Sequence, residues 1–229
     1  RNFMKKDLKD KTLGLIHASS ITISIVKPFI QEIIPEVQVM HLCDDTIQRD
    51  NIAAGVGVIP KVNYFKFATY AHFLEEAKVD LIMLMCSTFN RAVEFARPMI
   101  NVPMLQIDRP MMELAVNTGK KIGIIATLPT TVPSSERLLK LVAEEAKKDI
   151  EVKTVLCSTA FKELEKGNVE RHNEILLEEI DKLSKEVDCI CMAQVSMSVL
   201  ESKLTNTRVP VYNSGRTGFT RVREILESL

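Results

Sequence analysis

The 229-residue chain balances 30 basic against 30 acidic side chains, with 46% hydrophobic and 26% charged residues. That composition describes a globular protein able to bury a core, without the one-signed field that nucleic acid or an anionic membrane surface would attract. No apolar run approaches the roughly 20 residues that span a bilayer, no signal-peptide core opens the chain, and the five cysteines suit free thiols in a reducing, cytoplasmic setting.

Short β-branched and aliphatic runs alternate with longer amphipathic stretches. Strands are expected at 13–18, 37–42, 81–85 and 102–107, and again at 122–126, 151–156, 189–193 and 209–212. Runs apolar on both faces imply parallel sheets covered by helices on both sides. Apolar residues at three-to-four spacing predict helices over 134–148 and 169–186, and a last helix follows over 217–229. His172 lies on the second of these and is expected at the surface.

The chain repeats itself. Thr12-Leu13-Gly14-Leu15-Ile16-His17 returns as Lys121-Ile122-Gly123-Ile124-Ile125-Ala126, Val79-Asp80-Leu81-Ile82 as Val187-Asp188-Cys189-Ile190, and Val102-Pro103-Met104-Leu105 as Val209-Pro210-Val211-Tyr212. The offsets, from 12 to 121, 79 to 187 and 102 to 209, are 109, 108 and 107. A period this long is no solenoid. It predicts an α/β protein of two pseudo-symmetric lobes, each a parallel sheet flanked by helices, with a cleft between them. The lobe changes are placed near Arg109-Pro110 and Asn213-Ser214. The first lobe is then 1–109 plus the returning helix 214–229, and the second is 110–213.

Six residues beyond the shared aspartates Asp80 and Asp188 the two halves differ: one has Cys86, the other Gln194. Ligands of open α/β sheets sit beyond the carboxyl ends of the strands, so the residues there are the candidates. They are His17 and Ser19 after the first strand, Asp44 and Asp45 after the second, Cys86, Ser87, Thr88 and Asn90 after the third, and Asp108 and Arg109 after the last. In the second half they are Thr127, Thr130 and Thr131, then Gln194 and Ser196. Hydroxyls, amides and helix N-terminal N–H groups make a receptor for a carboxylate without any cofactor.

Each candidate has a plainer reading. A lone cysteine is usually a small buried hydrophobe, but one at a helix N-terminus has a lowered pKa and an available thiolate; the latter is expected for Cys86. His17 reads equally as an acid–base group or as a polar loop residue. Asp44 and Asp45 could bind an amine or cap the next helix, and the three threonines could cap theirs. Cys189 and Cys191 read as core. No glycine-rich dinucleotide or phosphate loop, histidine-rich metal cluster or nucleophile elbow is present, so neither cofactor nor metal is expected.

Met85-Cys86-Ser87-Thr88-Phe89-Asn90, Gly123-Ile124-Ile125-Ala126-Thr127-Leu128-Pro129-Thr130-Thr131 and His41-Leu42-Cys43-Asp44-Asp45 together resemble the aspartate/glutamate/hydantoin racemase superfamily, over nearly the whole chain. That resemblance implies an isomerase working at the α-carbon of a small carboxylic acid such as an amino acid. A cysteine from each lobe would face the substrate, and the subunits would pair as homodimers or higher homo-oligomers. It makes Cys86 one acid–base group, with Gln194 and His17 as the further catalytic candidates. Ser19, Asp45, Ser87, Thr88, Asn90, Thr127, Thr130, Thr131 and Ser196 would hold the substrate. The sequence departs from the pattern at Gln194, which cannot transfer a proton. Single-cysteine decarboxylation of a substituted malonate, or carboxylate binding without catalysis, are therefore the alternatives.

Overall fold

The computed structural model describes residues 6–229. Its strands are β1 (Thr12–His17), β2 (Gln38–Cys43), β3 (Leu81–Leu84), β4 (Met104–Gln106), β5 (Lys121–Ala126), β6 (Glu151–Leu156), β7 (Cys189–Met192) and β8 (Val211–Asn213). The helices are α1 (Ile21–Ile33), α2 (Asp45–Ala54), α3 (Lys61–Glu76), α4 (Ala92–Ala96), α5 (Arg109–Thr118), α6 (Thr131–Glu145), α7 (Ser158–Glu165), α8 (Val169–Leu183) and α9 (Ser214–Ser228).

The strands form two parallel sheets of four, ordered β2-β1-β3-β4 and β6-β5-β7-β8. The registers match: Gly14 lies opposite Ile82 as Gly123 lies opposite Ile190, and Leu84 opposite Gln106 as Met192 opposite Asn213. The central strands β1, β3, β5 and β7 are buried along nearly their whole length, as strands covered on both faces must be. The edge strands β2 and β6 depart from that pattern: neither has a fully buried residue, and both mix exposed with half-buried positions.

The repeated glycines explain how the layers close. A Cβ on Gly14 would stand 2.7 Å from Leu74 Cδ1 of α3, and one on Gly123 would stand 2.8 Å from Leu183 Cδ2 of α8. In each lobe the missing side chain lets one helix settle directly on the central strand.

The C-terminal helix returns to the first sheet. Phe219, Val222 and Leu226 of α9 share a core with Leu13, Leu15 and Leu105, and the Phe219 ring lies parallel to Phe29 of α1 with centroids 6.5 Å apart. Met111, Met112 and Ala115 of α5 instead enter the core of the second sheet with Ile122 and Cys191. The carboxyl ends of the two sheets face a common cleft between these cores. His172, expected at the surface, is only 5% exposed: it lies on the buried face of α8 with Leu176 and Ile180. No helix of the described residues is long and apolar enough to cross a membrane.

Candidate active site

The cleft holds a cavity of about 130 Å³ bordered by both lobes. The first lobe supplies Thr22, Cys86, Ser87 and Thr88; the second supplies Thr127, Thr131, Gln194 and Ser196. Cys86 and Gln194, two residues beyond β3 and β7, thus border one space. Ile21, Leu128, Phe161 and Leu164 give it an apolar wall, and among the described residues no charged side chain borders it.

Cys86 is half-buried at this margin. Burial pushes its thiol up to about 11, and the nearby Asp108 carboxyl adds to that, against the backbone N–H groups of Phe89 and Thr88, which pull it down. The expected lowering does not occur. The next helix, α4, is one of five residues that begins only at Ala92, too short and too far along the chain to outweigh desolvation. The thiol at rest is protonated.

Gln194 is held by its neighbours. Its Oε1 accepts from the backbone N–H of Thr127 at 2.6 Å and of Leu128 at 3.2 Å, and its Nε2 lies 3.0 Å from Thr127 Oγ1. The amide oxygen therefore occupies two convergent N–H donors after β5. Thr131 Oγ1 meets Thr88 Oγ1 at 3.2 Å across the lobes, and Ser134 Oγ donates to the Thr88 carbonyl. None of the threonines at this turn caps α6 through its side chain.

Other candidates lie off the cavity. Asn90 is fully buried and turns away, donating from Nδ2 to Asp108 Oδ2 at 2.9 Å. Asp44 caps α2 by accepting from the Thr46 N–H, and Asp45 Oδ1 accepts from the Ser20 N–H at 2.7 Å. Ser19 offers its carbonyl to the Thr22 hydroxyl at 2.8 Å. Thr130 borders a neighbouring cavity of about 140 Å³ beside Arg91 and Arg137. His17 is completely buried behind Thr22, with Nδ1 2.5 Å from Thr22 Oγ1. Tyr212 and Arg216 point elsewhere: Tyr212 pairs with the Thr118 hydroxyl, and Arg216 bridges Glu32 and Glu201.

Two further residues join the site: Thr22, which the sequence pattern does not single out, and Asp108, one of the residues expected beyond the last strand of the first lobe. Thr22 lies in the first turn of α1 and borders the cavity, its hydroxyl held between His17 and the Ser19 carbonyl. Asp108 follows β4; extending the Leu84–Gln106 register by two places sets it beside Cys86. It is completely buried, its Oδ1 lacks a hydrogen-bond partner, and burial pushes its carboxyl up to about 6 against the Asn90 amide that holds it down. The repeat marks it: the offset of 107 carries Asp108 to Gly215, so thiol and carboxyl both belong to the first lobe. Among the described residues, no group of three or more His, Cys, Asp or Glu is placed to hold a metal ion.

A family model for Asp/Glu/Hydantoin racemase matches residues 23–222. The chain belongs to the Asp/Glu/Hydantoin racemase family. Solved structures of that family share its fold. An aspartate racemase homologue from Pyrococcus horikoshii superposes with a TM-score of 0.73 at 19% identity, over 96% of this chain and 100% of that one. Picrophilus torridus aspartate racemase gives 0.69 at 16%, over 94% of each chain. Allantoin racemase from Klebsiella pneumoniae gives 0.68 at 18%, over 94% and 87%. No curated protein sequence matches the chain. Two parallel sheets meeting at a cleft are thus the frame shared with these structures, here with Gln194 and Cys86 bordering one cavity.

Proposed function

We propose that this member of the family moves a proton at the α-carbon of a small carboxylic acid, with Cys86 as acid–base group and no cofactor. The observation that carries the reading is the Cys86 thiol at the margin of a two-lobed cavity edged by hydroxyl and amide groups. Such donors can hold a carboxylate and the negative charge that develops when its α-carbon is deprotonated or decarboxylated.

Gln194 and the state of the thiol favour one-base chemistry. A thiol near 11 costs about 5 kcal/mol to ionise at pH 7, so Cys86 begins as an acid. Its natural first act is to protonate an enediolate, as after loss of carbon dioxide from a malonate-like acid. Exchange with retention needs the same group only. Racemisation needs a second proton route, because the Gln194 amide has no proton to give at this pH. The wall of Ile21, Leu128, Phe161 and Leu164 favours an apolar substituent on the acid, and a second carboxylate set against it would lack a cation to hold it, which favours its departure as carbon dioxide.

The test is incubation in D₂O with a panel of chiral amino, hydroxy and substituted malonic acids, following α-deuteration, optical rotation and carbon dioxide. Exchange or decarboxylation that falls about 10²–10⁴-fold in Cys86→Ala is expected. Full activity in that variant would sink the reading, and silence from the wild-type protein across the panel would leave carboxylate binding alone.

A further inference from the structure

A line of three side chains runs from the outer surface of the first lobe to the cavity. His41 lies on the edge strand β2 and is exposed. Its Nδ1 is 2.9 Å from Nε2 of His17, the two rings stacked with centroids 5.1 Å apart. His17 in turn reaches Thr22 Oγ1 at 2.5 Å, and Thr22 borders the cavity. Between the surface and the cavity the only titratable member is His17, wholly buried on β1.

We propose that His41, His17 and Thr22 form a proton relay joining solvent to the Cys86 cavity. This deepens the α-proton reading and rests on it. Of the described residues bordering the cavity, Cys86 alone carries a titratable thiol, carboxyl, imidazole or amine, so any proton beyond the one its thiol carries must arrive by another route.

The hydrogen bonds close in two ways. In one, His41 Nδ1–H donates to His17 Nε2, His17 Nδ1–H donates to Thr22 Oγ1, and the Thr22 hydroxyl donates to the Ser19 carbonyl 2.8 Å away. In the other, the Thr22 hydroxyl donates to His17 Nδ1 and His17 Nε2–H donates to His41 Nδ1. Passage between them carries one proton. The Thr22 hydroxyl turns from the Ser19 carbonyl and its O–H bond breaks toward the substrate carbanion in the cavity, while a new O–H bond forms with the proton from His17 Nδ1. His17 Nε2 takes the His41 Nδ1 proton, and His41 Nε2 takes one from a solvent acid. One proton enters the cavity, one leaves solvent, and His17 stays neutral throughout. Burial and the neighbouring His41 push its imidazole down to about 4, which keeps it a neutral carrier that changes tautomer rather than a trapped cation. The reverse passage carries a proton out, so isomerisation uses the chain once in each direction.

The test does not need the substrate. Protein labelled with ¹⁵N-histidine should show a neutral His17 at pH 7, its two ring nitrogens both resonating between protonated and bare positions. Thr22→Val, nearly the same shape but without a hydroxyl, should pin the proton on Nε2, and Thr22→Ser should restore the averaging. A single His17 tautomer in the wild-type protein, unmoved by Thr22→Val, overturns the relay. On any panel acid that exchanges in a Cys86-dependent way, Thr22→Val should slow exchange by about tenfold or more, with Thr22→Ser recovering it; an unchanged rate also overturns the relay. If no acid exchanges even in the wild-type protein, the α-proton reading falls and the histidine spectra decide the relay separately.

Discussion

Replacing Asp108 by Asn isolates the energetic cost of the carboxyl beside Cys86. The folded protein raises this carboxyl from 3.8 to about 6 because burial disfavours its charged form. The sign follows directly. Below about pH 4 the group is protonated in both folded and unfolded chains and costs nothing. As pH rises from about 4 to 6 the unfolded chain releases the proton while the folded one keeps it, and folding loses stability. Above pH 6 the loss is complete. Across that interval of about two pH units, at about 1.4 kcal/mol for each, the cost reaches about 3 kcal/mol.

Asp108→Asn removes this cost while keeping an oxygen for the Asn90 Nδ2–H, and its new amide can meet the Ser87 hydroxyl, which helps to hold the wild-type carboxyl down. The variant should therefore be more stable than the wild-type protein by as much as about 3 kcal/mol at pH 8, and close to it at pH 4. Urea unfolding across that range, with free energies extrapolated to water, measures the difference. A stability change equal at pH 4 and pH 8 would refute the reasoning, since it would mean that Asp108 does not titrate in that window. The same substitution removes a negative charge near Cys86, so the thiol should titrate lower and alkylate faster. A carboxyl that destabilises its own fold, beside the one thiol of the cavity, is what a site organised for proton transfer would retain.

The fold could be read from the repeat because packing is periodic. Gly14 and Gly123, fixed by offset alone, prove to be the places where a helix meets each central strand, and Cys86 and Gln194 border one cavity. What escaped the sequence depended on direction and burial, which no spacing encodes. Asn90 follows Cys86 by four residues yet turns its amide to Asp108, and Thr130 faces the neighbouring cavity rather than that of Thr127 and Thr131. The Cys86 thiol is raised rather than lowered because α4 starts six residues after it, not beside it, and desolvation wins. Asp108 was legible as a residue beyond the last strand of the first lobe, but its complete burial beside Cys86 was not. Thr22 was not legible: among the hydroxyls around β1, only the folded chain distinguishes the one that meets His17.

Gly14→Ala and Gly123→Ala test the pseudo-symmetry of packing: each new methyl meets a leucine of the overlying helix at 2.7 or 2.8 Å, so each variant should lose about 1–3 kcal/mol in urea unfolding. A neutral result at one site and a loss at the other would show that the two helix–strand contacts are not equivalent. Gln194→Leu tests the cleft itself. It strips the acceptor from the Thr127 and Leu128 N–H groups, at about 1–3 kcal/mol per buried donor left unpaired. If those donors are the natural seat of a carboxylate, the wild-type side chain competes for them, and its removal exposes a site that an added carboxylate can fill. Acetate should then raise the melting temperature of Gln194→Leu more than that of the wild-type protein, because a ligand that binds only the folded state stabilises it by mass action. Matched sodium chloride separates binding from ionic strength. Equal acetate responses in the two proteins would mean that the paired N–H groups serve only to hold Gln194, and the carboxylate must then be sought at Ser87, Thr88 and Ser196 across the cavity.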